Sequence, residues 1–117
     1  MHTVANVLVA FVALLHLLFL VLEMFLWTKP FGRRTFGLTK ELAEASKGLA
    51  MNQGLYNGFL VAGLIWGLLA NSFEIKVFFL VCVIVAGVFG ALTAKRSILF
   101  VQGLPGALAL AAVILAR

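Results

Sequence analysis

The sequence has little of what soluble and metal-binding domains rely on. Only 11% of its 117 residues are charged, and it contains one cysteine and two prolines. A single thiol excludes a disulfide framework. With so few charged residues the chain must be mostly uncharged, and a soluble domain of this length could not bury that much apolar surface. There is no Cys/His cluster with zinc spacing, no glycine-rich phosphate loop and no nucleophile elbow. We therefore expect no metal site, no cofactor and no assignable catalytic residue.

What the sequence does have is apolar residues, which make up 64% of the chain. Their long runs predict one all-α domain, 1–117, that forms a four-helix transmembrane bundle. The predicted spans are about 4–27, 51–70, 77–94 and 98–116. Asn71–Lys76 and Lys95–Ser97 are predicted turns between the later spans.

Residues 28–50 predict a cytoplasmic amphipathic segment between the first two spans. Pro30 ends the first helix, so Thr28–Gly37 is predicted to be a loop on the phospholipid surface. Residues 38–70 are predicted to form one long helix that enters the second span. A separate surface helix hinged at Gly48 is the alternative.

The positive charges predict the orientation. Seven lysines and arginines lie in the connections after the first and third spans, against only two elsewhere, Lys76 and Arg117. Cations in short loops favour the cytoplasmic side. Both termini are therefore predicted to lie on the non-cytoplasmic side. The net charge of +5 is then explained by cations that set the orientation in the membrane and contact the lipid bilayer. We expect no nucleic-acid partner.

The first span carries two ionisable side chains that a helix facing lipid should not carry, His16 and Glu23. They are separated by about two helical turns and so lie on one stripe of the helix. Glu23 lies near the cytoplasmic end of its span, where the second span begins with the polar run MNQGLYNG and the fourth places Gln102. His16 is roughly 10 Å deeper.

This convergence predicts a polar pocket that opens toward the cytoplasm and binds a small molecule or a lipid. The predicted ligand-binding residues are His16, Glu23, Asn52, Gln53, Tyr56, Asn57 and Gln102. Each has a structural alternative. Glu23 would snorkel to water, the amides would bond neighbouring helices, and Gln102 would repair a kinked helix start.

Pairs of small residues four apart predict close helix packing. They are Gly54 with Gly58, Gly63 with Gly67, Ala86 with Gly90, and Gly87 with Ala91. The default interpretation is packing within one chain, and some of these pairs are also available to a homo-oligomer.

Several runs resemble the bacterial DUF1304 family of small membrane proteins across nearly the whole chain. They are LEMFLWTKPFGRRTFGL, NQGLYNGFLVAGLIWGL and VIVAGVFGALTAKRSILFVQGLPGALAL. The resemblance implies four transmembrane helices in a bacterial cytoplasmic (inner) membrane, and it implies no activity.

Three functional hypotheses follow from these residues. The first is a transporter or permeation protein for a small polar or cationic solute, with Glu23 as the coupling residue. The second is an enzyme or binding protein for a lipid-like substrate, with Glu23 and His16 as an acid/base pair. The third is a structural membrane subunit whose polar cluster only joins helices.

Overall fold

The computed structural model describes all residues, 1–117, and every regular element in it is helical, which confirms the predicted all-α class. The elements are α1 (His2–Met24), α2 (Pro30–Phe36), α3 (Lys40–Leu69), α4 (Phe73–Thr93), a π-helical turn (Leu99–Gly103) and α5 (Leu104–Ala116).

Three helical segments are long and apolar enough to cross a membrane: α1, α4 and residues 99–116. Their outer surfaces carry large apolar side chains, as in Leu92 and Leu115, which are 81% and 73% exposed. Exposed apolar surface on this scale marks contact with a membrane or a partner. The predicted second span lies in α3, which is not among the three segments. Its polar residues 52, 53 and 57 make it less apolar than the others.

The long helix predicted from residue 38 onward is confirmed, because α3 runs without interruption through Gly48. The loop predicted at Thr28–Gly37 is wrong over most of its length, because residues 30–36 form α2. Pro30 occupies the first turn of that helix, where its missing N–H removes no hydrogen bond. Gly37 ends it in the left-handed conformation, with φ of 65°.

The turn predicted at Asn71–Lys76 is shorter than expected. The Ser72 hydroxyl accepts a hydrogen bond from the Ile75 N–H at 3.2 Å and caps α4, which begins at Phe73. Lys76, counted from the sequence as a loop cation, therefore lies inside the helix, and it is buried. The first helix ends at Met24, which leaves Trp27 outside it.

The chain divides into two compact units, and the first contains residues 1–14 and 60–117. Its core is formed by small and β-branched side chains of α1, α4 and α5 together with Leu64 and Leu80. The π-helical turn approaches α4 closely. A Cβ on Gly87 would lie only 2.9 Å from the Gly103 nitrogen. The glycines at 63, 67, 87 and 90 all face neighbouring helices of this unit, as the packing prediction required.

The second unit contains residues 15–59. The Trp27 indole N–H donates to the Ser46 hydroxyl at 3.0 Å, and its ring packs on Phe36 at 4.8 Å between centroids. Gly54 and Gly58 lie against Leu20, and a Cβ on Gly54 would also collide with Met24. These contacts join the end of α1 to α2 and to the first two-thirds of α3.

Candidate functional site

Glu23 and Asn57 meet in the second unit, as members of the predicted site. The Asn57 carboxamide nitrogen donates to the Glu23 carboxylate at 2.5 Å. Asn57 is buried and Glu23 is half-buried. Gly54, one turn before Asn57, makes the contact possible. A Cβ at position 54 would lie 3.3 Å from the Glu23 Cβ, so the absence of a side chain there leaves room for Glu23 beside α3.

No cation accompanies the Glu23 carboxylate. The two ion pairs of the protein are Lys47 with Glu44 and Arg117 with Glu74, both at 4.0 Å and both exposed. Lys95 and Arg96, in the turn after α4, form no ion pair either. A carboxylate held in an apolar helix by one amide retains acceptor capacity for another donor or a cation.

The other predicted site residues divide into three cases. The Asn52 amide donates to the Tyr56 hydroxyl at 3.0 Å on the exposed face of α3, where Gln53 is also exposed. His16 is completely buried, and its ring meets Phe19 edge-on at 5.1 Å.

Gln102 is the third case, because it belongs to the first unit and lies in the π-helical turn. Its amide nitrogen donates to the Val83 carbonyl oxygen of α4 at 3.0 Å. This bond ties the irregular start of the last span to its neighbour, which is the structural role that the sequence left open for Gln102. The structure thus joins Glu23 with Asn57, and Asn52 with Tyr56.

A second polar group lies in the first unit, and the sequence reasoning missed it. The Lys76 ammonium donates to the Asn6 side-chain oxygen at 2.9 Å and to that of Asn71 at 3.3 Å. Lys76 is 5% exposed. Its stem runs beside Gly67, where a Cβ would come 2.9 Å from the Lys76 Cγ.

A pocket of about 110 Å³ adjoins this lysine. Its lining combines cationic, amide and apolar side chains: His2, Ala5, Asn6, Asn71, Phe73, Lys76, Val113, Ala116 and Arg117. None of the seven predicted site residues lines it. We name it the Lys76 pocket.

A signal for the Lys76 pocket was present in the sequence. Asn6 and Lys76 both interrupt apolar runs, and each lies close to the start of its helix. Alternating helix direction brings the starts of α1 and α4 to the same end of the first unit, together with the end of α5. Treating Lys76 only as a loop cation concealed this group.

Comparison with known proteins identifies relatives and no activity. The model of a family described as "Protein of unknown function (DUF1304)" matches residues 10–114. A protein of Lactococcus lactis subsp. lactis (strain IL1403), named "Uncharacterized protein YpaA", is 32% identical over 96 residues. That match covers 79% of this chain and 81% of the relative. No solved structure matches the chain.

Proposed function

Since this chain belongs to the DUF1304 family, a family of unknown function, we propose a function from its own residues. In this proposal the protein spans the bacterial cytoplasmic membrane several times and transports, or lets pass, a small polar or cationic solute. Glu23 is the residue that binds the solute, and Asn57 orients it. The observation that carries the proposal is the Glu23 carboxylate, which lies in an apolar helix, bonded to one amide and to no cation.

The proposed topology has four spans, with the apolar second half of α3 added to the three segments that are long and apolar enough alone. Both termini lie outside, and the two basic connections lie in the cytoplasm. The burial of Lys76 supports this orientation, because it removes one of only two cations from the opposite side. Glu23, at the end of α1, is then close to the cytoplasmic interface.

The chemistry of the pair favours a cationic or hydrogen-bond-donating solute. An ionised carboxylate only accepts hydrogen bonds. A solute with a hydrogen-bond donor or a positive charge would therefore supply the partner that the Glu23 carboxylate lacks within the protein. Charged residues within membrane segments are rare, and those that occur mark solute and ion pathways. Because Glu23 is half-buried, a solute reaches it without dismantling the core.

The test is solute binding and flux by purified protein. A panel of monovalent cations and organic amines is screened for a rise in the thermal midpoint, since a ligand of the native state stabilises it by mass action. Members that bind are then tested for flux in proteoliposomes. We expect binding and flux in the wild type, and loss of both in Glu23→Gln, which keeps the acceptor for Asn57 and removes the charge.

The matched control is Glu44→Gln, because Glu44 is an exposed glutamate of α3. It should bind and transport like the wild type. The proposal fails if no solute of the panel binds, or if Glu23→Gln retains binding and flux. A strongly destabilised Glu23→Gln protein, with no solute bound by the wild type, identifies the pair as structural.

An acid/base role for Glu23 with His16 remains a hypothesis that no distance or contact favours. His16 is completely buried against Phe19, so a substrate would have to displace packed side chains to reach it. We therefore propose transport alone.

A further inference from the structure

We propose that the Lys76 pocket binds a phosphate group, which is supplied either by a phospholipid headgroup or by free phosphate. The proposal concerns the first unit and is independent of Glu23. It rests on a buried ammonium without an anion, on the groups that surround it and on the space beside it.

Lys76 is a buried cation that the protein leaves without a negative partner. Its two hydrogen-bond acceptors, Asn6 and Asn71, are neutral amides, and neither ion pair of the protein includes it. Moving an ammonium out of water costs several kcal/mol after relaxation, and amide oxygens repay only part of that cost. An anion in the adjoining pocket would supply the missing charge.

The position of Lys76 along its helix makes this lack of an anion more costly. It lies in the first turn of α4, which begins at Phe73. The N-terminal end of a helix carries partial positive charge and stabilises anions rather than cations. The helix field and the ammonium therefore act in the same direction on the pocket, and both attract a negatively charged group.

The neighbouring side chains add donors and a second cation. Arg117 lines the pocket and stacks on the Phe73 ring, with 4.1 Å from the guanidinium carbon to the ring centroid. Its ion-pair partner is Glu74, which is 4.0 Å away and largely exposed, so the pair is weak. The side-chain oxygens of Asn6 and Asn71 accept from Lys76, and their amide nitrogens make no hydrogen bond within the protein.

The backbone at Asn71 ends α3 and places the Asn71 side chain beside Lys76. Asn71 is the one non-glycine residue with positive φ, at 48°. The Ser72 N–H donates to the Gly67 carbonyl oxygen and the Asn71 N–H to that of Leu68. Asparagine tolerates the left-handed conformation at such a helix end better than most residues. The Asn71 side-chain oxygen accepts a hydrogen bond from the Lys76 ammonium across the turn between α3 and α4.

The size of the pocket suits a small group. A volume of about 110 Å³ holds several water molecules, so a phosphate group fits inside. A tetrahedral oxyanion accepts hydrogen bonds on several oxygens, so it can bind the ammonium, guanidinium and amide donors of the pocket at the same time. Lys76 also lies in the first turn of a segment apolar enough to cross a membrane, which is the depth of lipid phosphates.

The test measures the thermal midpoint of delipidated protein in an uncharged detergent, in two arms. The first arm titrates sodium phosphate against sodium chloride at equal ionic strength. The second adds phosphatidylglycerol to the micelles, against diacylglycerol, which lacks the phosphate. We expect a saturable rise of the midpoint in at least one arm. A rise with free phosphate, or with the lipid alone, identifies the source.

Two variants and one control assign the effect to the pocket. Lys76→Met removes the charge and keeps an unbranched chain of similar length. Asn6→Asp places a carboxylate where an oxygen already lies 2.9 Å from the ammonium, and so neutralises Lys76 without removing it. Both should lose the rise, whereas Lys95→Met, at an exposed lysine, should keep it.

Three results overturn the proposal. They are a rise that persists in both Lys76→Met and Asn6→Asp, an equal rise with chloride, and no rise in either arm. If Lys76→Met does not fold, Asn6→Asp decides the question, because it retains the lysine and the shape of the asparagine.

Discussion

Two polar pairs of this protein use an asparagine in opposite ways. In the second unit the amide nitrogen of Asn57 donates to the Glu23 carboxylate, and in the first the amide oxygen of Asn6 accepts from the Lys76 ammonium. The amide adapts to either sign of charge, because it carries both a donor and an acceptor. Each pair joins two helices and leaves the charge itself without a counter-ion.

The two pairs differ in how far water reaches the charged member. Glu23 is half-buried, whereas Lys76 is 5% exposed. The more deeply buried charge depends more on its amide partner, because less water replaces a lost hydrogen bond. We therefore expect the lysine pair to contribute more to stability than the glutamate pair.

The largest effect is expected for Asn6→Leu. It removes the closer acceptor of the Lys76 ammonium at similar side-chain volume. Hydrogen bonds to charged groups contribute about 1.5–3 kcal/mol, so the free energy of unfolding should fall by about that amount. Chemical unfolding in a neutral detergent, followed by tryptophan fluorescence, measures it.

The control for this prediction is the double variant Asn6→Leu/Lys76→Met. With the ammonium gone, the leucine should cost little, and stability should return toward that of Lys76→Met alone. Equal losses from Asn6→Leu in both backgrounds would show that the asparagine acts through packing and not through the lysine charge.

Helix packing provides the second comparison between the units. Gly87→Ala should destabilise by about 1–3 kcal/mol, because its Cβ would lie 2.9 Å from the Gly103 backbone nitrogen, and backbone does not yield. Gly54→Ala should cost less, since the Met24 Cγ with which it would collide can move by a change of side-chain rotamer, and its nearest backbone neighbour, the Leu20 carbonyl oxygen, lies farther away, at 3.3 Å. The same unfolding measurement compares them, and equal losses would contradict this ranking.

Most of the fold was predictable because apolar periodicity and length determine where helices lie. The continuous helix through Gly48 followed from good helix formers and the absence of a breaker. The short helix after Pro30 did not follow, because proline both ends helices and begins them, and the sequence alone does not decide between these roles. The π-helical turn before α5 lies where Gly103 packs against Gly87, and such a tertiary contact is not visible in a sequence.

The site was predictable in part for a related reason. Glu23 stands out because apolar residues flank it on both sides, with Leu22 before it and Met24–Trp27 after it. Its predicted depth in the membrane is the same as that of the polar start of the second span. Lys76 lies close to the edge of its run, where a lysine that faces water and a buried one have the same sequence pattern. Only the cap at Ser72, which begins α4 early, places it inside the helix.

Asn57→Leu sharpens the comparison of the two polar pairs. It removes the amide that donates to Glu23, and side-chain hydrogen bonds between helices in membranes contribute about 0.6 kcal/mol on average. We expect a loss near that value, measured as for Asn6→Leu. A loss as large as that of Asn6→Leu would mean that Glu23 depends on its amide as strongly as Lys76 does.

An effect of similar size and opposite sign is expected at Gly48. A Cβ there meets nothing within 4 Å, and the residue is exposed in the middle of α3. Replacing an exposed glycine inside a helix with alanine stabilises the helix by about 0.5–1 kcal/mol, because the unfolded chain loses freedom. Gly48→Ala should therefore raise the free energy of unfolding, in contrast to Gly54→Ala six residues later. If the protein instead bends at Gly48 during its activity, the variant would gain stability and lose solute flux, so measuring both separates a rigid helix from a working hinge.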